Sequence, residues 1–188
     1  YIDVQVTATI GNGTVGQAYS ATLTAEGGTG PYTFSVSGNL PTGVTFDGTN
    51  TLTGTPTAFG SFTFTVTATD TTTANGPFSS SRPYTVEIAK GAQVLTFNAL
   101  PNRAANSADF APGATSNAPD AVITYAAAPS TVCEVVAGQV RYVGAGACTV
   151  TASSAETPNY GAAADVPQTF SYIDVQVTAT IGNGTVGQ

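Results

Sequence analysis

The most constraining feature of this sequence is a perfect internal repeat. The segment YIDVQVTATIGNGTVGQ stands at residues 1–17 and again, without a change, at residues 172–188, so the period is 172 − 1 = 171 residues. Self-similarity at a fixed period is typical of array proteins, in which copies of one folding unit join head to tail. We therefore expect one full repeat followed by the first strand of the next. The alternative is that a copy of the first strand was appended at the end of the chain to complete a fold. This alternative also implies that the units join head to tail.

The period is long enough for two small domains, since a β-sandwich typically holds about 100 residues. Composition changes near Lys90: the chain before it is rich in Thr, Phe and Gly, and the chain after it is rich in Ala and contains both cysteines. These changes predict module A at residues 1–89, module B at residues 90–171 and the first strand of a following repeat at residues 172–188.

Apolar and polar residues alternate through both modules, which places every second side chain on one face of a strand. Gly- and Pro-rich turns separate the runs, and no stretch has helical spacing over a useful length. The pattern predicts an all-β chain of two sandwiches. The clearest apolar runs are Val4, Val6 and Ala8; Tyr19, Ala21 and Leu23; Phe62, Phe64, Val66 and Ala68; Tyr84, Val86 and Ile88; and Cys148, Val150 and Ala152.

The apolar phase changes where module B ends. It runs through Phe170 and Tyr172 and then switches to Ile173, Val175 and Val177. A phase switch moves side chains to the opposite face of the strand, so the backbone is expected to leave one sandwich and enter the next with almost no linker. The strand that contains Ile173, Val175 and Val177 then lacks partners of its own, and we expect it to pair with another molecule in homo-assembly.

The stretch from Asn12 to about Ile88 contains the segments NGTVGQAYSATLTAEGGTGPYTFSVSG, LPTGVTFDGTNTLTGTPTAFGSFTFTVTATD and RPYTVEI. It resembles the putative-immunoglobulin repeats of very large bacterial surface proteins. Module B resembles another bacterial immunoglobulin-like (Ig-like) repeat through QVLTF at residues 93–97, Val132-Cys133, GACTV at residues 146–150 and NYGAA at residues 159–163. These resemblances imply tandem Ig-like β-sandwich modules at a bacterial cell surface or in an extracellular protein, without a shared active site.

Charge and composition argue against several functions. The four basic residues are scattered and the net charge is −7, which is unfavourable for binding a polyanion such as nucleic acid. No apolar run approaches the ~20 residues that span a bilayer. Histidine is absent, and the carboxylates fall in no recognisable motif, so the sequence does not indicate an enzyme.

Cys133 and Cys148 lie in phase with the inward-facing positions Val135 and Val150. The Thr-, Gly- and Asn-rich, Lys-poor composition is typical of an exported protein, in which a disulfide is the expected state of two such cysteines. A bond between them closes a loop of about 15 residues, worth ~3 kcal/mol in the chain-entropy model. The alternative is a buried pair of reduced thiols.

Calcium is the metal for which the sequence offers candidate ligands, because many exported sandwich arrays bind calcium through oxygen ligands at their junctions. Asp3, Asp47 and Asp70 are the candidate ligands, with Asn50 and Asn75 near them in sequence. No D-x-D cluster concentrates their charge, so the pattern favours ordinary solvated turns, and we predict that calcium is not required for folding. The triplet Asn12-Gly13-Thr14 fits a glycosylation acceptor, but Asn-Gly primarily predicts a tight turn.

Two classes of function remain open from the sequence. The first is a structural repeat unit of a surface fibre, filament or adhesin stalk, with self-assembly through uncharged Thr- and Ser-rich faces. The second is a module that binds glycans or another ligand, in which Tyr19, Tyr32 or Tyr160 would stack on sugar rings. Glycan binding requires two or more aromatic side chains exposed on one face, whereas the alternation pattern favours core packing for each.

Overall fold

The computed structural model describes residues 3–73 and 75–174. Within these ranges the chain forms β-strands and no helix, which confirms the all-β prediction. Accordingly, no helix in this part of the chain has the length and apolar character needed to cross a membrane. The chain divides into two compact units. Of the described residues, unit 1 comprises those up to Val94 together with Ala118–Ala121 and Ala155–Ala163, and unit 2 comprises Leu95–Asn117, Val122–Ser154 and those from Ala164 to Asp174.

Unit 1 is a sandwich of mainly antiparallel strands. The strands are β1 (Gln5–Val6), β2 (Gly13–Thr14), β3 (Tyr19–Thr22), β4 (Ala25–Glu26), β5 (Thr33–Gly38), β6 (Val44–Phe46), β7 (Thr51–Gly54), β8 (Gly60–Thr69) and β9 (Ser79–Ala89). One sheet has the order β2-β9-β8-β5, and the opposite side is formed by β3-β7-β6 and the pair β1-β4. The first two strands divide between the sides, because β1 pairs antiparallel with β4 whereas β2 pairs parallel with β9.

The core of unit 1 follows from the alternation in its longest strands. Phe64, Val66 and Ala68 of β8 are buried, and the intervening threonines face outward. Leu23 and Leu52 are buried in the same core. Complete burial of a side chain of this size stabilises a fold by about 1.5–3 kcal/mol, so the alternation fixes which face of each strand points inward.

The outer face of the β8–β9 pair is polar and carries few charges. The hydroxyls of Thr67 and Ser81 are 2.8 Å apart, and those of Thr69 and Ser79 are also 2.8 Å apart. At the other end of the pair, the Ser61 hydroxyl donates to the carboxylate of Glu87 at 2.6 Å. Cross-strand pairs of this kind stabilise a sheet modestly.

Unit 2 repeats the plan of unit 1. The strands are β10 (Leu95–Thr96), β11 (Arg103–Ala104), β12 (Thr115–Ser116), β13 (Ile123–Ala128), β14 (Cys133–Val136), β15 (Gln139–Tyr142), β16 (Gly146–Ser154) and β17 (Val166–Ile173). The larger sheet has the order β11-β17-β16-β13, and the pairs β10-β12 and β14-β15 lie outside that sheet. As in unit 1, the first strand, β10, pairs antiparallel with β12, and the second strand, β11, pairs parallel with the last strand, β17.

Candidate functional site

The two cysteines join the hairpin of unit 2 to its larger sheet. Cys133 begins β14 and Cys148 lies in β16; both are fully buried, and a disulfide links them. The predicted disulfide is therefore present.

Asp70 follows β8 directly and is the one buried carboxylate in the part of the chain that the structure describes, with 3% of its surface exposed. Its carboxylate accepts hydrogen bonds from the backbone N–H groups of Thr29 at 3.1 Å, Phe78 at 2.8 Å and Thr72 at 3.3 Å. The Thr72 hydroxyl also donates to it. Asp70 thus ties the loop before β5 to the loop between β8 and β9.

Opposing effects set the pKa of Asp70. Burial alone would raise the pKa of this carboxyl, but the hydrogen bonds from Thr72, Phe78 and Thr29 outweigh burial and lower the pKa to about 2. The neighbouring loop approaches so closely that a Cβ atom on Gly28 would lie 2.4 Å from Oδ2 of Asp70. Gly28 also has a φ of +62°, which L side chains rarely adopt. Asp70 therefore has a structural role, because its hydrogen bonds hold two loops together.

Asp47 has the same kind of role in the turn between β6 and β7. Its Oδ1 accepts from the backbone N–H groups of Thr49 at 2.8 Å, Asn50 at 3.1 Å and Thr51 at 3.0 Å. The backbone bond from Thr51 and the bonds from Thr49 lower the pKa of Asp47 to about 2. This is a side chain that closes its own turn.

The remaining calcium candidate, Asp3, is exposed and precedes β1. No group of three or more His, Cys, Asp or Glu side chains suited to a metal ion occurs within residues 3–73 and 75–174. The carboxylate of Asp47 accepts hydrogen bonds from its own turn, and that of Asp70 accepts them from its own loop and from Thr29 of the loop before β5. The expectation that calcium is dispensable for folding stays a prediction.

The three tyrosines considered for glycan stacking all have internal contacts. The Tyr19 hydroxyl donates to the carbonyl of Gly11 at 2.8 Å, and the Tyr32 hydroxyl donates to that of Gly27 at 2.6 Å. Tyr19 is buried, and Tyr32 and Tyr160 are partly buried against the core of unit 1. Burial also raises the pKa of Tyr19. None of the three presents a fully exposed ring of the kind that a stacking platform requires.

Residues 3–17 lie along the edge of unit 1 and are held from two sides. Val4, Val6 and Ala8 are buried in the core. The Tyr84 hydroxyl of β9 donates to the carbonyl of Ala8 at 2.8 Å, and Nη1 of Arg82 donates to that of Val6 at 3.3 Å. These side-chain contacts could not be predicted from the sequence, because Arg82 and Tyr84 are more than seventy residues from their acceptors.

The predicted tight turn at Asn12-Gly13 is wrong. Gly13 begins β2, which pairs parallel with β9, and the side chain of Asn12 accepts a hydrogen bond from the backbone N–H of Glu87 at 3.0 Å. A Cβ atom on Gly13 would lie 2.8 Å from Cδ1 of Ile88 and 3.0 Å from Cδ2 of Tyr19. This glycine is needed for close packing rather than for a turn.

The second copy of the repeated segment begins inside unit 2. Tyr172 and Ile173 are the last residues of β17 and pair with Arg103 and Ala104 of β11. Tyr172 is buried and lies edge-on to Tyr142 at a centroid distance of 5.0 Å, whereas half of Ile173 is exposed. Ile173 therefore belongs to β17 of unit 2 and not to the first strand of a following sandwich. Val175 and Val177, the other residues of the predicted assembly strand, lie outside the described residues.

The architecture and the buried sandwich cores define an Ig-like class of protein. Residues 3–89 match the family model described as Putative Ig domain. No match to the chain was found among curated proteins.

Solved structures with a similar fold come from several organisms. Mouse cadherin-23 EC22-24 is 15% identical, with 93% of this chain and 68% of that chain covered and a TM-score of 0.42. A SusE-like surface located polysaccharide binding protein from Bacteroides thetaiotaomicron is 17% identical, with 95% and 35% covered and a TM-score of 0.35. The fibronectin(III)-like modules of Clostridium thermocellum CbhA are 12% identical, with 91% and 94% covered and a TM-score of 0.34. The chain spans half of Drosophila N-cadherin EC1-4 and about a third of the SusE-like protein.

Proposed function

We propose that this chain is a structural repeat unit of a long extracellular bacterial fibre, filament or adhesin stalk. In this proposal, two Ig-like modules form one period and successive periods join head to tail. The observation that carries it is the identity of residues 1–17 with residues 172–188, taken together with the position of that segment in each unit.

The position of the repeated segment supports a direct junction. Tyr172 and Ile173 close β17 of unit 2. Val175 is the copy of Val4, a buried residue at the start of unit 1. Asp174 is then the one residue between the last strand of a unit 2 and the first buried residue of a following unit 1. A linker of one residue leaves little freedom between neighbours, as a stalk requires.

Two further features support an exported, self-associating protein. The buried disulfide persists where the surroundings are oxidising, as they are outside the cell. The edge strands β5 and β13, TFSVSG and ITYAAA, carry no charged side chain. Charges on edge strands normally oppose pairing between molecules. Their absence from β5 and β13 favours lateral contact between neighbouring fibres.

The structural proposal accounts for the tyrosines better than glycan binding does. The hydroxyls of Tyr19 and Tyr32 are committed to backbone carbonyls, and Tyr160 packs against the core of unit 1. Phe59 is the single aromatic residue among the exposed large hydrophobic residues of the described chain. One exposed ring does not form a stacking platform.

Antibodies against this chain, applied to intact cells that produce the natural protein, test the proposal. We expect labelling of intact cells along thin projections in electron micrographs, with the label repeated along each projection. Labelling that appears only after the cells are lysed, or that is confined to a single point on each projection, would contradict a repeated surface stalk.

A further inference from the structure

We infer that the groove of unit 1 that holds residues 4–17 is also a docking site for residues 175–188 of a second copy of this chain. This rests on the proposed head-to-tail repeat. It adds that separate molecules make contact through the groove of unit 1 on one molecule and residues 175–188 on the other. Its basis is that every contact made by residues 4–17 is available to a segment of identical sequence.

The first half of the groove recognises an extended strand with alternating small apolar side chains. Val4, Val6 and Ala8 fill the core side. Gln5 and Val6 pair with Glu26 and Ala25 of β4, and the backbone N–H of Thr7 donates to the carbonyl of Thr24 at 2.9 Å. Residues 175, 177 and 179 are Val, Val and Ala as well.

The opposite wall of the groove binds the backbone of the strand through side chains. Arg82 and Tyr84 of β9 donate to two carbonyls of the strand, those of Val6 and Ala8. Contacts to backbone carbonyls do not depend on which molecule supplies the strand. This wall therefore accepts any segment whose side chains fit the core, which is how β-strand addition generally works.

The second half of the groove adds a sequence requirement. Val15 is buried, its backbone N–H donates to the carbonyl of Ala89 at 3.0 Å, and that of Gly16 donates to the carbonyl of Pro56 at 2.9 Å. At Gly13 the approach of Ile88 and Tyr19 leaves no room for a side chain. The copy meets each requirement with Gly184, Val186 and Gly187.

Within a single chain, the covalently attached residues 4–17 compete for the groove more effectively than a segment from a second molecule. A tethered segment acts at an effective concentration of about the millimolar range, which a second molecule does not reach in dilute solution. A groove that loses its own strand loses this competitor and accepts the copy from another molecule. Because the docking groove and the docking segment lie on different parts of the chain, this contact is heterologous and joins molecules head to tail, as open chains or closed rings.

The experiment uses the full 188-residue chain with substitutions. V6D places a carboxylate at a buried position of the attached strand and leaves the copy at residues 175–188 unchanged. We expect V6D to form head-to-tail oligomers by light scattering, whereas the wild-type chain at the same concentration remains largely monomeric. V6D/V177D, which damages both copies, is expected to lose the oligomers.

V6D/T180D is the matched control, because Thr180 is the copy of the exposed residue Thr9. This variant carries the same added charge as V6D/V177D and should still form oligomers. A second measurement covers the case in which V6D/V177D unfolds: a synthetic peptide with the sequence of residues 1–17 should restore the NMR resonances of unit 1, and a peptide with Asp in place of its second buried valine should not.

The inference is overturned if V6D is monomeric, if V6D and V6D/V177D associate to the same extent, or if the peptide restores nothing. A monomeric V6D that is more stable than V6D/V177D would mean that the copy folds back within its own chain. None of these outcomes bears on the cell-surface labelling that tests the proposed function, so the two can fail separately.

Discussion

Reduction of the Cys133–Cys148 disulfide is expected to destabilise unit 2 selectively. The two cysteines are 15 residues apart in sequence, and the chain-entropy relation gives about 3 kcal/mol for cross-linking a loop of that length. In a domain of about 60–100 residues, 1 kcal/mol shifts the Tm by about 4–8 °C. Reduction is therefore expected to lower the Tm of unit 2 by roughly 12–24 °C.

The assay is thermal and guanidinium unfolding of the oxidised and reduced chain, followed by two-dimensional NMR so that each unit is read through its own resonances. Unit 1 contains neither cysteine and serves as an internal control. Reduction removes no side-chain heavy atom, whereas C133A/C148A deletes two buried sulfur atoms and leaves a cavity. The double variant should therefore be destabilised at least as much as the reduced chain.

Two results would refute this reasoning. The first is an unchanged unit 2 transition in a sample whose thiol titration shows that both cysteines are reduced. The second is an equal shift in the unfolding transitions of both units, read through their resonances. That result would mean that the disulfide does not act through the loop that it closes.

Two further predictions concern unit 1. The pKa of Asp70 is lowered to about 2 from 3.8, so the contribution of its carboxylate to stability is fully present above pH 3.8 and is lost as the pH falls towards 2. D70N should remove this part of the pH dependence of unfolding, measured by urea titrations at a series of pH values. An unchanged loss of stability with acid in D70N would contradict the assignment. Gly43 and Gly48 both have positive φ, but a Cβ atom on Gly43 would lie 2.2 Å from the carbonyl oxygen of Thr55 whereas one on Gly48 meets nothing within 4 Å. G43A should therefore cost more than the left-handed strain of about 1–2 kcal/mol that is expected for G48A, and equal losses in denaturant unfolding would refute the steric argument.

The parts of this fold that could be predicted from the sequence are those governed by local periodicity. Val4, Val6 and Ala8 alternate with polar residues and are buried, and the same holds for Phe64, Val66 and Ala68. The side-chain period of a strand is fixed by backbone geometry, so the inward face follows from the pattern alone. Cys133 and Cys148 could be paired for the same reason, because both lie in an inward phase.

Contacts between distant segments could not be predicted. The carboxylate of Asp70 faces donors from Thr29 and Phe78, which lie in two separate loops. Gly13 looked like part of a turn because Asn-Gly usually is one, but its surroundings come from Tyr19 and Ile88. In both cases the environment is created by tertiary packing, which overrides the local preference of the residues.

The direct measurement of the central claim is small-angle X-ray scattering from proteins that contain one, two and three consecutive periods of 171 residues. If each unit 2 passes into the next unit 1 through a single residue, the maximum dimension should increase by the same increment with each added period. A maximum dimension that fails to grow from one period to three would contradict a head-to-tail structural repeat.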